Sequence, residues 1–172
     1  MKKLFLCGAL LFAAASTLPA QPMNLLRMDR ILHDEAAEID GDLGAWTLLY
    51  GDRFLVVLTD ELANRMRIFT PVIAEDELKE DQWQALLEAN FHSALDAKYG
   101  LYNGYVVSVF THPLRELTEL QLVDALQQVA TLADTFGTTY SSTDLLFGKG
   151  LMQETDPPRP RINVKPGGGR SN

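Results

Sequence analysis

Leu101–Leu114 reads "LYNGYVVSVFTHPL", and its centre decides the fold. Asn103-Gly104 is a strong signal for a two-residue β-hairpin, because both central residues of a type I′ turn need positive φ and these two residue types tolerate it. The turn pairs Tyr102 with Tyr105, Leu101 with Val106 and Tyr99 with Ser108. Two strands joined this tightly are antiparallel neighbours. His112 precedes Pro113, which holds its predecessor extended and has no N–H for a ladder, so "THPL" reads as a strand exit.

Working outward, the strand code recurs upstream. "AWTLLY" and "RFLVVLT" flank Gly51-Asp52, a glycine-first pair suited to a type II′ hairpin, and the looser "DELAN" leads into "RMRIFTPVI". Three helices surround these strands. Asn24 can cap a first helix with Leu25, Met28 and Leu32 on one side. A second, about Leu78 to Asp96, places Trp83, Leu86, Leu87, Asn90, Phe91, Ala94 and Leu95 at helical spacing. In the third, Thr118 and Gln121 form a capping box, Leu117 can staple to Leu122, and Leu122, Ala125, Leu126, Val129, Ala133 and Phe136 make the apolar stripe. Gly137 is placed to end it in the left-handed conformation. The expectation is an α+β domain over residues 21–148, with three helices and an antiparallel five-stranded sheet in the order α-β-β-β-α-β-β-α. Residues 149–172 are rich in proline and glycine and poor in apolar residues, which predicts a disordered basic tail.

The first residues, "MKKLFLCGALLFAAASTLPAQ", run from two lysines through a short apolar stretch to small residues and Pro19. This order predicts a secretory signal peptide over residues 1–20, cleaved after Ala20 or, as the second choice, after Ala15, and so a periplasmic or secreted protein. The apolar stretch is too short for a permanent span, so no stable membrane anchor is expected after cleavage. Cys7 would leave with the leader, because Leu6 stands where a lipobox wants a small residue. The remaining chain would have no cysteine, hence no disulfide and no thiolate nucleophile. Cleavage removes two lysines and no acid, moving the net charge from −8 to −10. The residues from Lys149 onward carry +3, which leaves −13 on residues 21–148. So acidic a body repels nucleic acid and anionic membrane surfaces, which argues against both as partners.

Little in the chain points to catalysis. His33, His92 and His112 lie in different elements at no metal-ligand spacing. Neither a GxSxG elbow, a phosphate-binding loop nor a GxGxxG follows a strand. His92 has Glu88 and Asp96 four residues away on either side, the pattern of a solvated helix face. Asn90 reads as a core amide, and "PPRP" as a plain tail able to adopt polyproline II. No catalytic residue, metal site or cofactor is expected.

The order of elements, with "WTLLYGDRFLVVL", "NRMRIFTPV", "LLEANFHSAL", "YNGYVVSVFTHPLRELTELQLVDAL" and "FGTTYSS", resembles the YbjN-like and Tir-chaperone (CesT-like) families, which share the type III secretion chaperone fold. The likeness covers about Asn24 to Phe147. It implies a small acidic homodimer that binds segments of other proteins and performs no chemistry. Secretion chaperones of that kind work in the cytosol, whereas this chain carries an export pattern.

The strands are apolar on both sides. Val106 and Phe110 point one way and Tyr105, Val107 and Val109 the other, while Phe54, Val56 and Leu58 oppose Leu55 and Val57. A sheet with one wet face should alternate apolar with polar residues. Either helices or the tail cover both faces, or a second subunit or a client strand covers one. On the second reading Leu55, Val57, Arg65, Arg67, Tyr102, Tyr105, Val107 and Val109 are the expected partner contacts. The function expected is chaperone-like binding of a polypeptide client by an exported homodimer. The rival is a regulatory or sensory domain that binds a small ligand in the cell envelope.

Overall fold

The computed structural model describes residues 22–143. The leader expected over 1–20, the tail over 149–172 and the domain limits at 21 and 148 lie outside the described residues. Within them, α1 (Leu25–Glu35) is followed by strands β1 (Glu38–Asp42), β2 (Ala45–Tyr50), β3 (Arg53–Asp60) and β4 (Arg65–Ala74). A single 3-10 turn (Glu75–Glu77) then leads to α2 (Glu80–His92), β5 (Lys98–Tyr102), β6 (Tyr105–His112) and α3 (Glu119–Asp134). Among the described residues no helix is long and apolar enough to cross a membrane.

The sheet has six strands, not five. They lie in the order β1-β2-β3-β4-β6-β5, each antiparallel to its neighbour. The strand missing from the sequence reading is β1, "EIDGD", which has one apolar residue and no alternation to detect. Its pairing, Glu38↔Leu49 through Asp42↔Ala45, is set by the turn at Leu43-Gly44, where Gly44 has φ 107°. The other turns follow their local codes. Asn103 and Gly104 have φ 50° and 76°, and Tyr102↔Tyr105, Leu101↔Val106 and Tyr99↔Ser108 pair as expected. Gly51 has φ 59° and Tyr50 pairs with Arg53.

Caps fix the helix starts. The Asn24 side chain accepts from Arg27 N–H (2.9 Å). Thr118 and Gln121 close the capping box of α3, and Leu117 and Leu122 are both buried. Two helix limits differ from the sequence reading. Helix α2 is shorter than Leu78–Asp96, because Gln128 on α3 collects the N–H groups of Asp96 and Ala97 (2.9 and 3.1 Å) and holds that segment as a loop. Helix α3 ends at Asp134 rather than at Gly137. Gly137 does have positive φ (76°), but the helical bonding has already given way to tighter turns, with Phe136 N–H on Ala133 O (3.4 Å) and Thr138 N–H on Thr135 O (3.1 Å).

One core results. Met28, Ile31 and Leu32 of α1, Leu86 and Ala89 of α2 and the stripe of α3 pack with Trp46, Leu48, Leu55, Val57, Met66, Ile68, Val106 and Phe110 of the sheet. All eight strand residues belong to one face, as the cross-strand row Trp46–Val57–Ile68–Phe110 shows.

Candidate binding surface

The opposite face of the sheet is read directly from the register. One row runs Asp40–Thr47–Val56–Phe69–Val109–Lys98, and a second runs Asp42–Ala45–Leu58–Arg67–Thr111. Acidic and polar residues hold the β1 end, and apolar residues hold the middle. Phe54, Leu58, Tyr102 and Tyr105 are exposed there by 61%, 40%, 53% and 49%. Large apolar side chains clustered on one surface mark interaction sites more often than single ones do.

A groove of about 250 Å³ lies in this face, lined by Leu58, Arg67, Phe69, Tyr102, Val107 and Val109 among others. Its floor is open because β5 has Gly100 opposite Val107. A Cβ built at Gly100 would meet Val109 Cγ1 at 3.6 Å and Val107 Cγ2 at 3.8 Å, ordinary contacts, so the position takes a side chain's first carbon without a clash and directs it into the groove. Phe69 and Tyr102 meet edge to face at 5.6 Å beside it. Val107 is 5% exposed yet stands outside the main core cluster.

Two arginines sit on this face. Arg67 Nε donates to Thr111 Oγ1 (3.3 Å) and Arg65 Nη1 to Asn64 O (2.8 Å). Neither makes a salt bridge among the described residues, where the bridges are Arg27–Glu119, His33–Asp29 and Arg53–Asp134. Arg65 has Asp60 directly opposite on β3, whereas Arg67 lies between Leu58 and Thr111. A guanidinium on an apolar floor is a ready partner for a carboxylate.

Of the expected contact residues, Arg65, Arg67, Tyr102, Tyr105, Val107 and Val109 share this outer face. Leu55 and Val57 do not. Both are 0% exposed, on the inner face beneath the helices, and this corrects the sequence reading. Strand alternation groups Leu55 with Val57, but only the register Val57↔Ile68 ties that group to the helix side. Their outward neighbours Phe54, Val56 and Leu58 belong to the surface instead, together with Phe69, Gly100 and Thr111, which the sequence reading missed. Counting from the Gly51-Asp52 turn gives the first three once one inward residue is known.

Both edges of the sheet are managed. At the β5 edge, Asn90 Nδ2 donates to Tyr99 O (3.0 Å) while Asn90 Oδ1 accepts from Tyr99 N–H (2.7 Å). The Lys98 amine donates to Asn90 O, Ala94 O and Leu95 O (2.7, 2.7 and 2.8 Å), satisfying carbonyls at the end of α2. Burial lowers the pKa of that amine, and Asp96 opposes the shift. The β1 edge carries Glu38, Asp40 and Asp42, a charged edge of the kind that deters strand addition.

The histidines occupy three separate places. His33 Nδ1 lies 2.9 Å from Asp29 O, His92 meets Phe91 edge on at 4.9 Å, and His112 ends β6 stacked on Phe110 at 6.1 Å. Among the described residues no group of three His, Cys, Asp or Glu could hold a metal ion. A larger concavity is lined by the hydroxyl- and amide-bearing residues Gln127, Thr131, Thr135, Thr139, Ser141, Ser142 and Thr143.

No protein-family model and no curated protein matches the chain. Solved structures do. The chain is similar to one in the ExsC–ExsE complex at 18% identity, covering 64% of this chain and 90% of that one with a TM-score of 0.49. It is similar to one in the HopA1–SchA chaperone–effector complex at 13% identity, covering 63% and 88%, with a TM-score of 0.49. A third likeness is to the structure of the Yersinia pestis type III secretion chaperone SycH in complex with a stable fragment of YscM2, at 15% identity, 63% and 98% coverage and a TM-score of 0.47.

Proposed function

We propose that this chain is a non-enzymatic, chaperone-like domain that is exported, forms a homodimer and binds extended polypeptide segments across the outer face of its sheet. The observation that carries the reading is the uncovered apolar centre of that face, with its groove over Gly100. A client segment lying there would place an aliphatic side chain in the groove. Arg67, a cation in an acidic body, favours a client with a carboxylate beside that side chain. Binding is across the face rather than by strand addition, because Asn90 occupies one edge and carboxylates line the other.

A small-ligand role is the weaker reading. The groove holds about 250 Å³, below the range of roughly 300–1,000 Å³ usual for such sites. Its polar side chains are Arg67, Thr111 and the phenol of Tyr102.

The test is Gly100→Leu. Gly100 has no positive φ and a Cβ there makes only ordinary contacts, so the fold should keep its melting temperature while capture on a peptide array weakens by about tenfold or more, equivalent to about 1.4 kcal/mol. Light scattering of the chain from residue 21 should give twice the monomer mass. A strict monomer that captures no polypeptide overturns the proposal.

A further inference from the structure

One cross-strand row of the outer face carries opposite charges at a fixed separation. From β1 to β4 it runs Asp42, Ala45, Leu58, Arg67, each directly opposite the next, so the four side chains stand on the same face. All four residues are exposed. Neither charged end belongs to a salt bridge among the described residues. Past Arg67 the row continues to Thr111, at the rim of the groove over Gly100.

Three strand spacings of about 4.8 Å set the two charges about 14 Å apart. A client lying across the strands in extended form rises about 3.3 Å per residue and turns every second side chain toward the sheet. Four residues therefore cover about 13 Å, and side chains i and i+4 come down on the same side. Residue i+2 falls halfway, over Leu58 and the small Ala45. Residue i−2 falls about 7 Å beyond Arg67, over the groove.

We infer that the outer face selects client segments of the pattern apolar–x–acid–x–apolar–x–base, with the acid on Arg67, the base on Asp42 and the first apolar side chain in the groove. The inference rests on the reading of this face as a polypeptide-binding surface, and adds the order and spacing of the client's charges. A charge pair at each end fixes the register, which apolar contact alone leaves free to slide. A segment with one acid and one base brings no net charge. A second copy laid on the same face would bring another body at −8, and the two would repel.

The test is fluorescence polarisation of three labelled heptapeptides, blocked at both ends, against the purified full chain. Val-Ser-Glu-Ser-Val-Ser-Lys has the pattern. Val-Ser-Glu-Ser-Lys-Ser-Val has the same composition with the base two residues from the acid. Val-Ser-Glu-Ser-Val-Ser-Glu replaces the base by an acid. The first should bind about fivefold more tightly than either of the others, the scale of one exposed charge pair. Asp42→Lys, at an exposed position beside a turn, should invert the order, so that the third peptide binds about fivefold more tightly than the first. Equal binding of the first two peptides by the unaltered chain overturns the inference and leaves the polypeptide-binding reading in place. So does a preference that Asp42→Lys does not move. No binding of any of the three overturns it too, and the effect of Gly100→Leu on array capture then decides whether the broader reading falls with it. A light-scattering mass that drops in Asp42→Lys and returns when Arg67→Glu is added assigns the row to a second copy and likewise overturns the inference.

Discussion

The amide of Asn90 is given entirely to the backbone of Tyr99, one end donating and the other accepting, so a helix side chain replaces the neighbour that edge strand β5 lacks. Asn90→Leu keeps the volume and leaves both groups of Tyr99 unpaired, which should cost about 2–3 kcal/mol in urea unfolding. It should also release higher-order species on size exclusion, because the β5 edge becomes available. The sequence marked Asn90 only as a polar residue on an apolar stripe; its partner lies nine residues on and was not legible. Tyr99 itself is 7% exposed and donates from its hydroxyl to Leu132 O (2.7 Å). Burial pushes its phenol well above the usual value, with a hydrogen bond to Thr135 opposing. The neutral form is thus favoured in the fold, and its contribution is fully present below about pH 10 and lost as the pH rises beyond that. Urea midpoints from about pH 8 to about pH 11 should fall, and Tyr99→Phe should make that fall shallower while costing about 1 kcal/mol at neutral pH.

Among the elements, those written in short local codes were legible. The hairpin at Asn103-Gly104 and the start of α3 at Thr118 appear where their turn and cap residues require. Thr118→Ala removes the acceptor for Gln121 N–H (3.2 Å) and should lower stability by about 1 kcal/mol, with Thr118→Ser close to unchanged. Elements defined by distant partners were not legible. Strand β1 is held by its pairing with β2, since "EIDGD" has no pattern of its own. The end of α2 is set by Gln128, a fully buried side chain on α3 that also donates to Asp124 (2.7 Å). The face of β3 is the same kind of case. Alternation separates Leu55 and Val57 from Phe54, Val56 and Leu58, but which set meets the helices depends on where α1 and α3 pack. Six of the eight expected contact residues fell on the outer face because they come from β4, β5 and β6. There the two cations and the hairpin tyrosines are costly to bury.

For the whole molecule, an apolar face is balanced against a large negative charge. The chain carries −8 at pH 7, and its sequence pI is about 4.8. Charge of this size opposes association of the proposed dimers through the open outer face, and that repulsion fades as carboxylates take up protons. Light scattering should therefore show reversible association beyond the dimer as the pH falls from about 7 toward about 5, with far-UV circular dichroism unchanged. The location of the contact separates this from general loss of solubility. Phe54→Gln, on the outer face and 61% exposed, should suppress the association, whereas Leu120→Gln, on α3 and 83% exposed, should not. Equal suppression by both would mean that charge alone governs the behaviour and that the outer face has no special affinity. Suppression by Phe54→Gln alone would locate the sticky surface on the outer face of the sheet, beside the row that runs from Asp40 to Lys98.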